Sequence, residues 1–233
     1  VSKNTESLVK KMNEKAQELD MKNSLFRNPH GLDQEDGGNI STAYDMAKLT
    51  SYAMKNKNFK KIVATEKYTL KTNKNTYVWH NKNKLLYRYK YTTGGKTGFT
   101  KIARRTLVTT ASKNNLNLVV VTLNDGNDFT DHENLFEYAF NNYTNYKILS
   151  KGFIKIKKEN YYKKHKLYIK NDYSYPLSID EKDSIRIKYQ LKKIRKLKNN
   201  SKVGTAKIYF GDKLVHEENI YLKYSSKKSK GWF

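Results

Sequence analysis

Gly94-Gly95-Lys96-Thr97-Gly98-Phe99-Thr100 sets a lysine and a threonine between glycines, ahead of the β-branched run Thr106-Leu107-Val108-Thr109-Thr110. The run predicts a strand, and Gly98, following the Lys-Thr, predicts a place where a second backbone comes close. A Lys-Thr-Gly on an edge strand can hold a substrate carboxylate with its ammonium and its hydroxyl. A phosphate loop closes on the same letters, Gly-Lys-Thr, but it needs another glycine five positions before Gly95, where the chain has Lys90. It also needs a hydrophobic strand before the loop and a helix after it. Here Tyr87-Arg88-Tyr89-Lys90-Tyr91 precedes and strand-forming sequence follows, so the stretch reads as a carboxylate-binding strand.

Three further blocks lie upstream: Met12-Asn13 with Lys15-Ala16 and Leu19, then Asn28-Pro29-His30-Gly31-Leu32, then Ser41-Thr42-Ala43-Tyr44-Asp45-Met46-Ala47. In order and spacing up to Lys96-Thr97-Gly98 they resemble the serine-type D-alanyl-D-alanine carboxypeptidases, the low-molecular-mass penicillin-binding proteins. The resemblance implies that residues 1–149 are the rear part of a penicillin-recognising, β-lactamase/transpeptidase-like domain of mixed α/β class. It implies a reaction in which a serine acyl-enzyme releases the terminal D-alanine of a peptidoglycan stem peptide, with β-lactams acylating the same serine and no cofactor or metal required. By the same resemblance Lys96 would hold the terminal carboxylate, Thr97 would hydrogen-bond to it, and Gly98 with its strand neighbours would dock the substrate backbone. The parent protein would work outside the cytoplasm, on the wall side of the plasma membrane.

The bond-making groups of that family, a Ser-x-x-Lys and a Ser-x-Asn, belong upstream of the Met12-Asn13 helix, so the expectation is a chain without nucleophile or base. Ser7-Leu8-Val9-Lys10 matches the first pattern, but it sits on a helix whose Leu8, Met12, Ala16 and Leu19 keep helical spacing. Ser7 and Lys10 are most simply its solvated face. Ser225-Ser226-Lys227-Lys228 lies in a polar basic tail. One departure stands close to the recognition strand: Ala103-Arg104-Arg105 replaces the Ala-Gly common in the family, which sets a bulky cation beside the motif.

The 233 residues, 37% of them hydrophobic, suffice for packed cores. There is no cysteine, which excludes disulfides and thiolate metal sites. The formal net charge of +25 suits anionic wall polymer, anionic lipid or nucleic acid equally, and its sign alone does not choose. Lysine here travels with asparagine, tyrosine and isoleucine, a mix that coding-base bias also produces. Residues 1–150 hold 24 Lys and Arg against 14 Asp and Glu, whereas residues 151–233 hold 23 against 8. That contrast predicts a boundary near Ser150.

Ahead of the boundary, Asn4 or Thr5 caps the Leu8–Leu19 helix, with Asp20 at the position a left-handed helix end needs. Thr42 and Asp45 form a capping box for the next helix. Strands Thr106–Ala111 and Asn117–Leu123 follow the motif as an antiparallel pair joined by Lys-Asn-Asn. Asp125-Gly126-Asn127-Asp128 fails as a calcium loop, because Phe129 takes a ligand position and Thr130 the glycine. Instead Thr130 and Glu133 are expected to start a helix that buries Leu135, Phe136, Ala139 and Phe140, with Asp131 and His132 at its positive end. His30 reads as a turn residue, and His80, His165 and His216 show no ligand spacing for zinc.

Beyond it, Phe153–Lys157, Lys166–Lys170, Ser184–Tyr189, Val203–Phe210 and Leu214–Tyr221 read as short strands, with Gly211-Asp212 as a hairpin turn. Residues 150–224 are thus expected to form a small all-β sandwich like the C-terminal domain of the same carboxypeptidases. Residues 225–233 form a basic tail ending in Trp232-Phe233, suited to peripheral, salt-sensitive contact with an anionic membrane or wall polymer. Two rival classes remain. One is a noncatalytic wall-binding or membrane-surface module; the other is a nucleic-acid binder using lysines and 19 tyrosines, for which no recognisable RNP-type motif occurs.

Overall fold

The computed structural model describes residues 4–35, 37–157, 159–196 and 198–224, so Ser225–Lys228 and Trp232-Phe233 lie outside the described residues. The chain divides into two compact units, residues 1–141 and 142–233. The first opens with α1 (Thr5–Glu18), α2 (Ala43–Ala53) and α3 (Lys57–Val63). An exposed hairpin of β1 (Lys67–Lys71) and β2 (Thr76–His80) follows, then the short α4 (Leu85–Arg88). The sheet strands β3 (Thr92–Thr100), β4 (Arg104–Lys113) and β5 (Leu116–Leu123) come next, and α5 (Asp128–Asn142) closes the unit.

Local chemistry explains these limits. Asn4 caps α1 by accepting from the Ser7 amide, while the Asn4 amide donates to the Ser7 hydroxyl. Asp20 leaves the helix at φ 54°, the left-handed conformation expected of it. Thr42 accepts from the Asp45 amide at 3.2 Å, but the box is only half made. The Asp45 carboxylate is buried and turned instead to the Asn23 amide (3.0 Å) and the Ser24 hydroxyl (2.9 Å). Asn114 and Asn115 both take positive φ between β4 and β5, the two-residue turn whose twist suits a hairpin.

Helix α5 begins earlier than the capping pattern suggests. The Asn127 carbonyl already receives the amides of Thr130 and Asp131, so Thr130 lies inside the helix. Phe136 is buried as expected, whereas Leu135 is 47% exposed. His132 does not decorate the helix end: it is fully buried.

The second unit is all β. Strands β6 (Thr144–Leu149) and β9 (Tyr173–Leu177) pair with each other. The larger antiparallel sheet consists of β7 (Gly152–Ile154), β8 (Lys166–Ile169), β10 (Ile185–Leu191), β11 (Lys202–Phe210) and β12 (Lys213–Lys223). Its order is β10-β11-β12-β8-β7. Gly211 turns the β11–β12 hairpin at φ 56°. Val203, Ala206, Ile208, Ile220 and Leu222 alternate inward from β11 and β12, and Leu149 and Tyr173 of the smaller ladder join the same core. Burial of each large aliphatic there contributes about 1.5–3 kcal/mol.

Candidate substrate-binding site

Strand β3 lies at the edge of its sheet, paired on one side with β4. Its register sets Gly95 against Thr109, Lys96 against Val108, Thr97 against Leu107 and Gly98 against Thr106. The glycines are there for space. A Cβ on Gly95, at φ 155°, would sit 2.4 Å from the Val108 carbonyl oxygen, and one on Gly98 would sit 2.4 Å from the Thr106 hydroxyl. Gly94, at φ 149°, would meet Val63 of α3 at 2.6 Å. Three close approaches therefore draw the motif flat against its neighbours, and the exposed edge of β3 is left for an incoming backbone.

Lys96 is exposed and its ammonium donates to the Thr97 carbonyl. No described carboxylate pairs with it, so its charge is available. Lys96, Thr97 and Gly98 line a cleft of about 1100 Å³ together with His30, Lys82, Lys84 and Arg105. Cations thus gather along this wall, which favours an anionic group over a neutral one. Arg105 is already matched: it reaches the buried Asp128 at 2.5 Å and lies over the Phe129 ring. Asp128, drawn by sequence toward a calcium loop, is thereby the counter-ion of the cleft wall.

The Asn28-Pro29-His30-Gly31 turn forms another part of the cleft. Buried Asn28 accepts from the Gly31 amide at 2.7 Å and donates to the Leu32 carbonyl and the Gln34 side chain. Asn39 braces the far side through the Arg27 and Asn28 amides. His30 accepts from the Leu32 amide through Nδ1, a turn role. Asp33 accepts from the Ile102 amide, tying this loop to the β3–β4 turn. At the first residue of β4, Arg104 holds φ 57°, a left-handed conformation that favours glycine.

Two supports were not read from the sequence. His132 of α5 is wedged beneath the sheet, with Nδ1 2.5 Å from the Thr109 hydroxyl and Nε2 3.1 Å from the Thr122 hydroxyl. Burial lowers its pKa to about 4, against a weaker pull upward from Asp128 and Asp125. It is a neutral strut behind the residue that pairs with Gly95. Asn83 is also fully buried, and its Nδ2 lies at the Gly95 Cα, 3.0 Å from where a Cβ would be. That amide nitrogen has no hydrogen-bond partner among the described residues. Ahead of β3, Arg88 grips Glu133 through two bonds of 2.6 and 2.7 Å, and the Tyr89 hydroxyl donates to Glu137. These contacts fix α5 to the strand's entry.

The Ser7 hydroxyl is committed to the α1 cap. Ser41, which does line the cleft, shares its hydroxyl with Ser24 at 2.8 Å. Neither serine has a lysine amine within hydrogen-bond reach among the described contacts.

The family model described as D-alanyl-D-alanine carboxypeptidase matches residues 1–127. The chain belongs to that family. A second model, described as penicillin-binding protein 5, C-terminal domain, matches residues 143–228. The D-alanyl-D-alanine carboxypeptidase DacF of Bacillus subtilis is 38% identical over 122 residues, 52% of this chain and 31% of its own length. DacB2 of Mycobacterium tuberculosis is 35% identical over 115 residues, 49% of this chain and 40% of its own. The chain therefore spans well under half of either relative. Among solved structures, penicillin-binding protein 5 from Haemophilus influenzae matches 96% of this chain and 67% of its own with a TM-score of 0.70 at 24% identity, a likeness of fold. A D-alanyl-D-alanine carboxypeptidase from Mycobacterium tuberculosis matches 60% of this chain and 55% of its own, with a TM-score of 0.55 at 30% identity. The mixed α/β reading and the penicillin-binding-protein resemblance hold. Among the described residues no helix is long and apolar enough to cross a membrane.

Proposed function

We propose that this chain carries the substrate-recognition half of a D-alanyl-D-alanine carboxypeptidase acting on peptidoglycan stem peptides outside the cytoplasm. The observation that carries the reading is the edge strand β3: a Lys96 ammonium with no carboxylate partner among the described residues, beside three glycines that bring the strand close to its neighbours on one side. A peptide ending in D-alanyl-D-alanine would lay its backbone along that edge. Its terminal carboxylate would meet Lys96 and the Thr97 hydroxyl, and a β-lactam would offer its own carboxylate to the same pair. Cleavage needs a serine to attack the penultimate carbonyl, with a base taking the hydroxyl proton and D-alanine leaving. No described serine fills that role, so this chain's residues bind and orient. The basic second unit would add salt-sensitive contact with wall polymer or membrane.

Lys96→Ala tests the reading. In the 233-residue chain it should weaken binding of an acylated D-alanyl-D-alanine peptide. Joined to a segment that bears Ser-x-x-Lys and Ser-x-Asn, it should slow penicillin acylation about ten- to a hundredfold, the loss of a charge-assisted bond worth about 1.5–3 kcal/mol. Equal binding and equal acylation by both proteins would show that Lys96 is not the anchor. The unjoined chain should take no covalent label from a fluorescent penicillin; a labelled band lost on Ser7→Ala would overturn the capping role given to Ser7.

A further inference from the structure

The β1–β2 hairpin is unusual in this unit because all ten of its strand residues are exposed. Register divides it into two faces. Tyr68 faces Trp79 and Leu70 faces Tyr77, so these four side chains share one side, while Lys67, Lys71 and His80 fall on the other. The aromatic side is ordered. Trp79 stacks with Tyr68 at 6.2 Å and 19°, and with Tyr77 at 5.6 Å and 8°. Its members nonetheless stay 41–57% exposed. A two-stranded ribbon is marginal in water by itself, yet this one is firmly rooted. The Asn81 amide donates to the Glu66 carbonyl, Asn81 Nδ2 donates to the Thr65 carbonyl, and the Tyr87 hydroxyl donates to the Glu66 carbonyl. A rigid, unburied apolar patch marks a surface that meets something.

Charge identifies the partner. Residues 55–90 hold 11 Lys and Arg against a single acid, Glu66, while the rest of residues 1–150 holds 13 of each sign. The positive charge of the first unit is thus concentrated in the segment that presents the aromatic face. Tyrosine and tryptophan each carry a phenol O–H or an indole N–H at the edge of an apolar ring. Such amphipathic edges belong where hydrocarbon meets headgroups. Lysines on the reverse face and at the Lys74 tip surround the aromatic side with positive charge.

We propose that the β1–β2 hairpin docks on an anionic bilayer surface, seating Tyr68, Leu70, Tyr77 and Trp79 at headgroup level while the surrounding lysines hold anionic lipid. The chain has two tryptophans, so the full chain carrying Trp232→Phe reports on Trp79 alone, whatever the second unit does. With phosphatidylglycerol-containing vesicles, Trp79 emission should shift to shorter wavelength and be quenched by brominated lipid, and the response should fade as salt rises. Pure phosphatidylcholine and soluble polyphosphate should leave it unmoved. Lys67→Gln and Lys71→Gln, both fully exposed and off the aromatic face, should each lower partitioning about fivefold. Four results would overturn the proposal: no binding to anionic vesicles; binding with Trp79 emission unchanged; an equal response to neutral vesicles; or a polyphosphate response matching that of lipid, which would make the hairpin a site for a soluble polyanion.

Discussion

Residues 1–141 bury Asn28, Asp45, Asn83, Asp128 and His132 beside a modest set of apolar side chains, whereas residues 142–233 bury Val203, Ile208, Ile220 and Leu222, with Glu218 the one buried polar residue among those described in that unit. The site-bearing unit is therefore specified by hydrogen-bond geometry, and the all-β unit by aliphatic packing. The difference suits their work. A strand that must present Lys96 at a fixed height needs directional supports, because an apolar contact tolerates sliding that a hydrogen bond does not.

If that contrast is right, the largest single loss of stability should come from the aliphatic core. Ile220→Ala empties a fully buried position between β11 and β8 and should cost about 2–5 kcal/mol in denaturant unfolding. A cost below 1 kcal/mol would show that this core is loose and that the contrast is drawn from appearance.

The matching test in the first unit is Asp45→Ala. It strands the Asn23 amide and the Ser24 hydroxyl, both of which donate to the carboxylate, and it should cost about 1–3 kcal/mol. Exceeding the Ile220→Ala loss would sharpen the comparison by making the polar network dominant. A neutral outcome would break it.

His132 supplies a test in pH. Its folded pKa is near 4, below the ordinary 6.5, because burial disfavours the cation. The sign follows: the unfolded chain binds the proton first, so stability is full above pH 6.5, declines as the pH falls toward 4, and levels off below. The melting temperature should fall across that window, and His132→Gln should flatten the fall while lowering stability at pH 7. Superimposable profiles would mean that His132 is protonated in place, and that other groups cause any acid loss.

Much of this was legible from the sequence because glycine and cap residues carry backbone requirements that no distant residue can change. Gly98 announced close packing, Asn4 announced a helix start, and Asp20 its end. What escaped depends on which way a side chain faces. His132 reads as polar decoration on a helix start; only the tertiary pairing with Thr109 and Thr122 turns it inward. Leu135 follows a helical repeat yet remains exposed. Strands β6 and β9 were missed as well, since their lysines, tyrosines and a proline dilute the alternation. The β1–β2 hairpin has alternation, but with no core to meet, its pattern gave no direction.

The smallest effect should come from Arg104, the one arginine among the described residues with a left-handed backbone. At φ 57° a side chain with a Cβ is strained by about 1–2 kcal/mol, which glycine relieves. Glycine also gives the unfolded chain more freedom, offsetting about 0.5–1 kcal/mol of the gain. Arg104→Gly should therefore stabilise by up to about 1 kcal/mol, a rise of a few degrees in melting temperature. Asn114→Gly is the control: asparagine already tolerates its φ of 51°, so relief there should be smaller. The cleft offers a second readout, since neighbouring Arg105 keeps its bond to Asp128 in either protein and peptide binding at Lys96 should be unaltered. A loss of stability in Arg104→Gly would mean that the arginine side chain contributes more than its backbone strain costs. The arginine would then be a gain at this position.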